Sequence, residues 1–152
     1  MSVEANKDVV RRYFEEGRSQ GNLAVVEEIF AADAIRHTAN GPLQDVPARQ
    51  RDVIIRWRTA FPDYHDEVLA LVGDGDQVVA HILFTGTHTG IFEYESLGPW
   101  EPTGRAIKCR EFFLYRLAHG KIVEVWSLWD RRDFMQQLGI TESITSPVSA
   151  VD

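Results

Sequence analysis

A single cysteine, Cys109, among 152 residues leaves no internal disulfide to form and no zinc site built on paired cysteines. Positive charge is also scarce. Sixteen lysines and arginines face 23 aspartates and glutamates, a net charge of −7 that argues against a duplex nucleic-acid partner. No apolar run approaches the roughly 18 residues of a membrane span. The opening Met1 to Asp8 is too charged for a secretory signal. The expectation is a soluble, cytoplasmic protein. None of the five histidines is four residues from another, so no helical metal pair exists, and no metal or cofactor is expected. What the chain does have is apolar bulk, with 44% hydrophobic and 11% aromatic residues. That is enough for one well-buried core, and the reading is a single domain over residues 1–140 with a polar, flexible tail over 141–152.

Helical spacing dominates the first 61 residues. Val9, Val10, Tyr13 and Phe14 make one stripe within residues 4–18; Leu23, Val26, Ile29 and Phe30 make a second. Val53, Ile54, Trp57, Ala60 and Phe61 define a third helix from Pro47, which Pro62 stops. Its other face is rich in arginine (Arg49, Arg51, Arg56, Arg58) and reads as solvated, with an anion-binding patch as the alternative.

After Pro62 the period falls to that of strands, over residues 64–72, 77–88, 105–117 and 121–130. Gly73 to Asp76 and Ala118 to Lys121 suit hairpin turns. A short helix follows over 131–138. Helices first and strands afterwards imply an α+β domain: a curved antiparallel sheet with helices packed on one face. In the last strand Trp126 and Leu128 fall on one side, Val125 and Trp129 on the other. Two apolar faces predict a homodimer through the outer face, unless the tail covers it.

The chain resembles the SnoaL-like polyketide cyclases of the nuclear transport factor two-like superfamily. The resemblance is carried by Tyr13-Phe14-Glu15-Glu16, Phe30 to His37, Ala60-Phe61-Pro62-Asp63, Gly86-Thr87-His88-Thr89-Gly90, Pro102-Thr103-Gly104-Arg105, Gly120 to Asp130, and Gln136-Gln137-Leu138-Gly139. It implies a cone-shaped sheet with the N-terminal helices packed on its concave face, and a cyclase or isomerase using a pocket aspartate as general acid/base for aldol closure, without metal or cofactor. The position matching that aspartate is Asp130, and His37 matches a histidine that enters the same pocket. The stretch from Ile91 to Glu101 runs longer than the family pattern and holds Phe92, Tyr94, Leu97 and Trp100, enough apolar surface to roof a pocket.

Asp130, flanked by Trp126 and Trp129, is thus a candidate acid/base, with a helix N-cap as its other reading. Trp57, His88, Phe92, Trp100, Glu111 and Trp126 are candidate substrate contacts. The turn at His119-Gly120 leaves the register open. One setting puts Glu111 and Phe113 beside Trp126; a setting slipped by one puts Arg110 and Phe112 there. The leading function is a cofactor-independent enzyme acting on a small apolar carbonyl compound. Its rivals are a non-catalytic module for a small hydrophobic ligand, a dimerisation scaffold with a filled cone, and an epoxide hydrolase, which needs a carboxylate–arginine–carboxylate row. Cys109 reads as a buried strand residue.

Overall fold

Every helix but the last lies before Pro62, and most of the sheet comes after it. In the computed structural model, which describes residues 2–141, helices fill the concave side of a six-stranded sheet. Helix α1 (Val3–Arg12) starts at Ser2, whose hydroxyl accepts the Ala5 amide at 3.0 Å. It then widens into a π-helical turn, Tyr13–Arg18, in which the Ser19 amide reaches back five residues to the Phe14 carbonyl. Helix α2 spans Ala24–Ile29 and α3 spans Val46–Ala60. Val10, Tyr13, Phe14, Val26 and Ile29 from these elements are almost wholly buried against the sheet.

The strands are β1 (Phe30–Thr38), β2 (Gly41–Leu43), β3 (His65–Asp74), β4 (Gln77–Thr87), β5 (Phe92–Tyr94), β6 (Leu97–Trp100), β7 (Ala106–Ala118) and β8 (Lys121–Trp129); helix α4 (Arg131–Leu138) follows. The main sheet runs β2-β1-β8-β7-β4-β3. It is mixed rather than wholly antiparallel, because β1 lies parallel to β8. Sequence reading missed β1 and β2 for a physical reason. Arg36 shares the inward face with its partner Val125, while Ile35 sits on the other side, so the usual apolar-in pattern is reversed there. The long 91–101 stretch folds as the β5–β6 hairpin, with Phe92, Tyr94, Leu97 and Trp100 all buried.

The β7–β8 hairpin turns through His119 and Gly120, both at positive φ (53° and 77°), as a two-residue turn of that hand requires. A bulge then shifts the ladder between Arg116 and Leu117, so Glu111 pairs with Trp129 and Leu114 with Trp126. Arg110 and Phe112 therefore do share a face with Trp126. That face is the convex one, not the pocket side. Along it His81, Phe112 and Leu128 are direct cross-strand neighbours, as are Val79, Leu114 and Trp126.

Beneath the hairpin lies an aromatic block. Trp57 has the rings of Phe61, Phe84, Phe92, Trp129 and Phe134 within 5.0–5.7 Å. Gly90 lets the chain pass the end of α3, where a β-carbon would come within 2.0 Å of the Thr59 carbonyl oxygen. Among the described helices none is long and apolar enough to cross a membrane. Apart from Thr141, the expected tail lies outside the described residues.

Candidate active site

Between α3 and the concave face lies a cavity with about 540 Å³ of atom-free space, part of it open to solvent. Its walls are apolar and aromatic: Val53, Ile54, Trp57, Phe84, Tyr94, Phe113 and Trp129. Arg18, Arg36, Gln50, Arg58, Tyr64 and Glu111 set polar groups into these walls.

The π turn places Arg18. At its end Arg18 leaves the helix axis, and its flank is held by Arg58, whose Nη1 donates to the carbonyls of Ser19 (2.7 Å), Tyr64 (3.2 Å) and Arg18 itself (3.3 Å). The Arg18 guanidinium lies over the rings of Phe14, Phe113 and Tyr64, at 5.2, 5.2 and 5.6 Å from their centroids. It serves two carboxylates. Its Nε stands 2.8 Å from Asp66 Oδ2, and its Nη2 stands 3.6 Å from Glu111 Oε1 and donates to the Tyr64 hydroxyl. Tyr64 in turn donates to Asp66 Oδ1 at 2.8 Å.

One cation cannot neutralise two buried carboxylates equally. Asp66, with a fully covered side chain, takes the closer contact and the tyrosine hydrogen bond; burial still pushes its carboxyl up, opposed by Arg18 and Tyr64. Glu111, with 12% of its side chain exposed, has the looser contact. Burial pushes it up to about 7, against the pull of Arg18 and Arg36. It is the group left to carry a proton near neutrality, in a pocket of restricted water. That combination suits proton transfer to and from a bound molecule.

Of the residues singled out from sequence, Trp57 and Glu111 line this cavity. The others are elsewhere. Asp130 is exposed and caps α4, accepting the Asp133 amide at 2.9 Å. Phe92 and Trp100 pack behind Trp57 in the aromatic block rather than against the cavity. His88 is buried; its Nδ1 accepts the Thr103 amide, and burial lowers its pKa so that it stays neutral. His37 and Trp126 stack on each other at 4.4 Å on the convex side, where His37 Nε2 meets Glu124 at 2.7 Å. Arg110 lies on that side too, in a recess with Asp130, and neither lines the cavity. Cys109 faces inward, with burial pushing its thiol up to about 12, and is not a nucleophile there.

Sequence reading missed Arg18, Arg36, Tyr64 and Asp66. Asp66 alternates with Val68 on the inward face of β3 and was readable as an acid on an apolar face; Arg18 had no periodic signal, because the π turn resets the helical phase. Among the described residues no group of three or more His, Cys, Asp or Glu could hold a metal ion.

A family model described as SnoaL-like polyketide cyclase matches residues 8–138. Among solved structures the chain is similar to IdmH, a candidate polyketide cyclase from Streptomyces antibioticus, with 26% identity over 89% of this chain and 99% of that one, at a TM-score of 0.71. It is also similar to AclR, a candidate hydroxylase from Streptomyces galilaeus (22% identity, 91% and 98% covered, TM-score 0.76), and to TsrD from Streptomyces laurentii (16%, 93% and 99%, TM-score 0.80). The last two carry the fold alone. A comparison with curated proteins found no match.

Proposed function

The chain belongs to the SnoaL-like polyketide cyclase family, and we propose that it catalyses proton transfer next to a carbonyl, of the aldol or isomerase type, with Glu111 in place of Asp130 as general acid/base. The observation that carries this reading is a carboxyl raised to about 7 on the wall of an aromatic cavity. Ionised Glu111 removes a proton from the carbon alpha to the carbonyl. The resulting enolate oxygen lies toward the fixed charge of Arg18. After the enolate carbon attacks a second carbonyl, or is reprotonated, Glu111 returns its proton to the alkoxide or carbon. Asp66 and Tyr64 are positioning residues that hold Arg18 in place. Trp57, Phe84 and Trp129 exclude water and accept the apolar body of the substrate.

The row Asp66–Arg18–Glu111 has the composition an epoxide hydrolase needs. Asp66, however, is buried behind Tyr64 and does not line the cavity, so the row offers one carboxyl to a ligand rather than two. Single-carboxyl proton transfer fits this better.

The test is deuterium exchange of the protons alpha to the ketone of β-benzoylpropionate methyl ester, followed by NMR. Glu111→Gln should lower the exchange rate at least about a hundredfold. Asp130→Ala should lose about 1 kcal/mol of stability, as a missing helix cap does, and keep its exchange. Equal exchange by Glu111→Gln and the parent chain would leave a non-catalytic pocket for a small hydrophobic ligand.

A further inference from the structure

We infer that the mouth of the cavity binds a carboxylate, so that the substrate is a carbonyl compound bearing an acid group, with Arg36 and Arg49 as its anchors. The inference rests on reading the cavity as the substrate chamber. A second recess adjoins that chamber, and Arg36, Val53 and Tyr94 line both. The recess also has Arg49, Asp52, Arg56 and Glu95 at its rim.

The charges there do not cancel. Arg56 is matched by Asp52 at 2.8 Å, and Glu95 is matched by Arg131. Among the described residues, neither Arg36 nor Arg49 has a carboxylate within ion-pair distance. Arg36 Nη2 donates to the neutral Ser127 hydroxyl at 3.3 Å, and Arg49 Nε donates to the Gln44 carbonyl at 2.7 Å. Arg36 is the telling one. Burial works against the charge on its guanidinium, and the field of Tyr94, Glu111 and Glu95 outweighs it, yet neither acid is within ion-pair distance. Its charge is thus held in place with hydrogen-bond donors left for an incoming carboxylate.

The geometry narrows the anion. A guanidinium presents a planar fork that fits a carboxylate in two parallel hydrogen bonds. A phosphate dianion would bring a second negative charge against Asp52 and Glu95 on the same rim. In a chain of net charge −7, two arginines with no bonded carboxylate among the described residues also draw an acidic substrate inward against the general field. A ligand held there by its acid group would extend inward past Tyr94 toward Glu111 and Trp129.

The probes are β-benzoylpropionate and its methyl ester, which differ in the acid group alone, and the readout is quenching of tryptophan fluorescence, since Trp57 and Trp129 line the chamber. The parent chain should bind the acid about tenfold more tightly than the ester, with the preference shrinking as salt is added. Arg36→Gln should abolish the preference and Arg36→Lys should restore part of it. Arg49→Gln, at an exposed position that tolerates substitution, should reduce it severalfold. Equal binding of acid and ester, absence of saturable acid binding, or a preference that survives both glutamine variants would overturn the inference. Acid preference without deuterium exchange would remove the proton-transfer reading and leave this one standing; exchange without acid preference would do the reverse.

Discussion

The concave face of the sheet carries Glu111, Asp66 and Arg36, with Arg18 reaching in from the π turn, while its convex face carries Phe112, Leu128 and Val79, exposed at 50%, 76% and 39%. A soluble domain ordinarily distributes these the other way round. The interior charges weaken the fold through desolvation, and the exterior side chains gain nothing from water. Each face thus departs from what folding alone selects, and each departure marks a contact to be made: a reacting molecule inside, another apolar surface outside. We propose that the outer contact is a second copy of this chain. The apolar row runs across the central strands β4, β7 and β8, with Lys108 and Arg110 toward one end and the Arg116–Glu124 pair toward the other, an arrangement that two-fold symmetry can bury.

The larger test of this contrast is on the inside. Burial pushes the Glu111 carboxyl up to about 7 from an ordinary 4.5. Between those values the folded state holds more protons than the unfolded one, so stability falls as pH rises from 4.5 to 7 and the loss is complete above that. The difference corresponds to about 3 kcal/mol. Glu111→Gln, neutral throughout, should therefore be more stable than the parent by about that amount at pH 8 and nearly equal to it at pH 4, by urea unfolding. A variant that gains stability while losing exchange would identify the charge as functional. A uniform loss of stability at every pH would mean that Glu111 is a structural partner of Arg18.

The smaller effect is on the outside. Leu128→Glu should change the stability of the single chain by less than about 0.5 kcal/mol, because the side chain is already exposed. Light scattering should nonetheless find the parent as a dimer and this variant as a monomer. A monomeric parent would leave the convex face without the proposed partner.

The comparison also explains what could be read from sequence. Period and turn chemistry placed α3, β3, β4, β7, β8 and α4 within a residue or two, because their apolar positions obey helix or strand spacing. Where the interior is polar the same signal inverts. Arg36 pointing inward hid β1, and with it the parallel pairing. Of the two tryptophans in β8, Trp129 lines the cavity, while Trp126, a candidate substrate contact from sequence, lies outside against His37. Asp130, the position matching the family's aspartate, follows the other reading the sequence offered, a helix cap. Glu111 was legible as an acid in an apolar strand. Its partners were not, since Arg18 and Asp66 are separated from it by 93 and 45 positions in the chain and meet through the π turn and the β3–β4–β7 ladder.

The most direct test of the account is the titration of the Glu111 side-chain carboxyl, followed by carbon NMR in a chain labelled at glutamate and assigned by its disappearance in Glu111→Gln. A midpoint near 7 is the result this account predicts, for a carboxyl that burial has made a proton-transfer group. A midpoint in the ordinary range of about 4.3 would contradict it: Glu111 would be a fixed anion paired with Arg18, and the cavity would have no acid/base group.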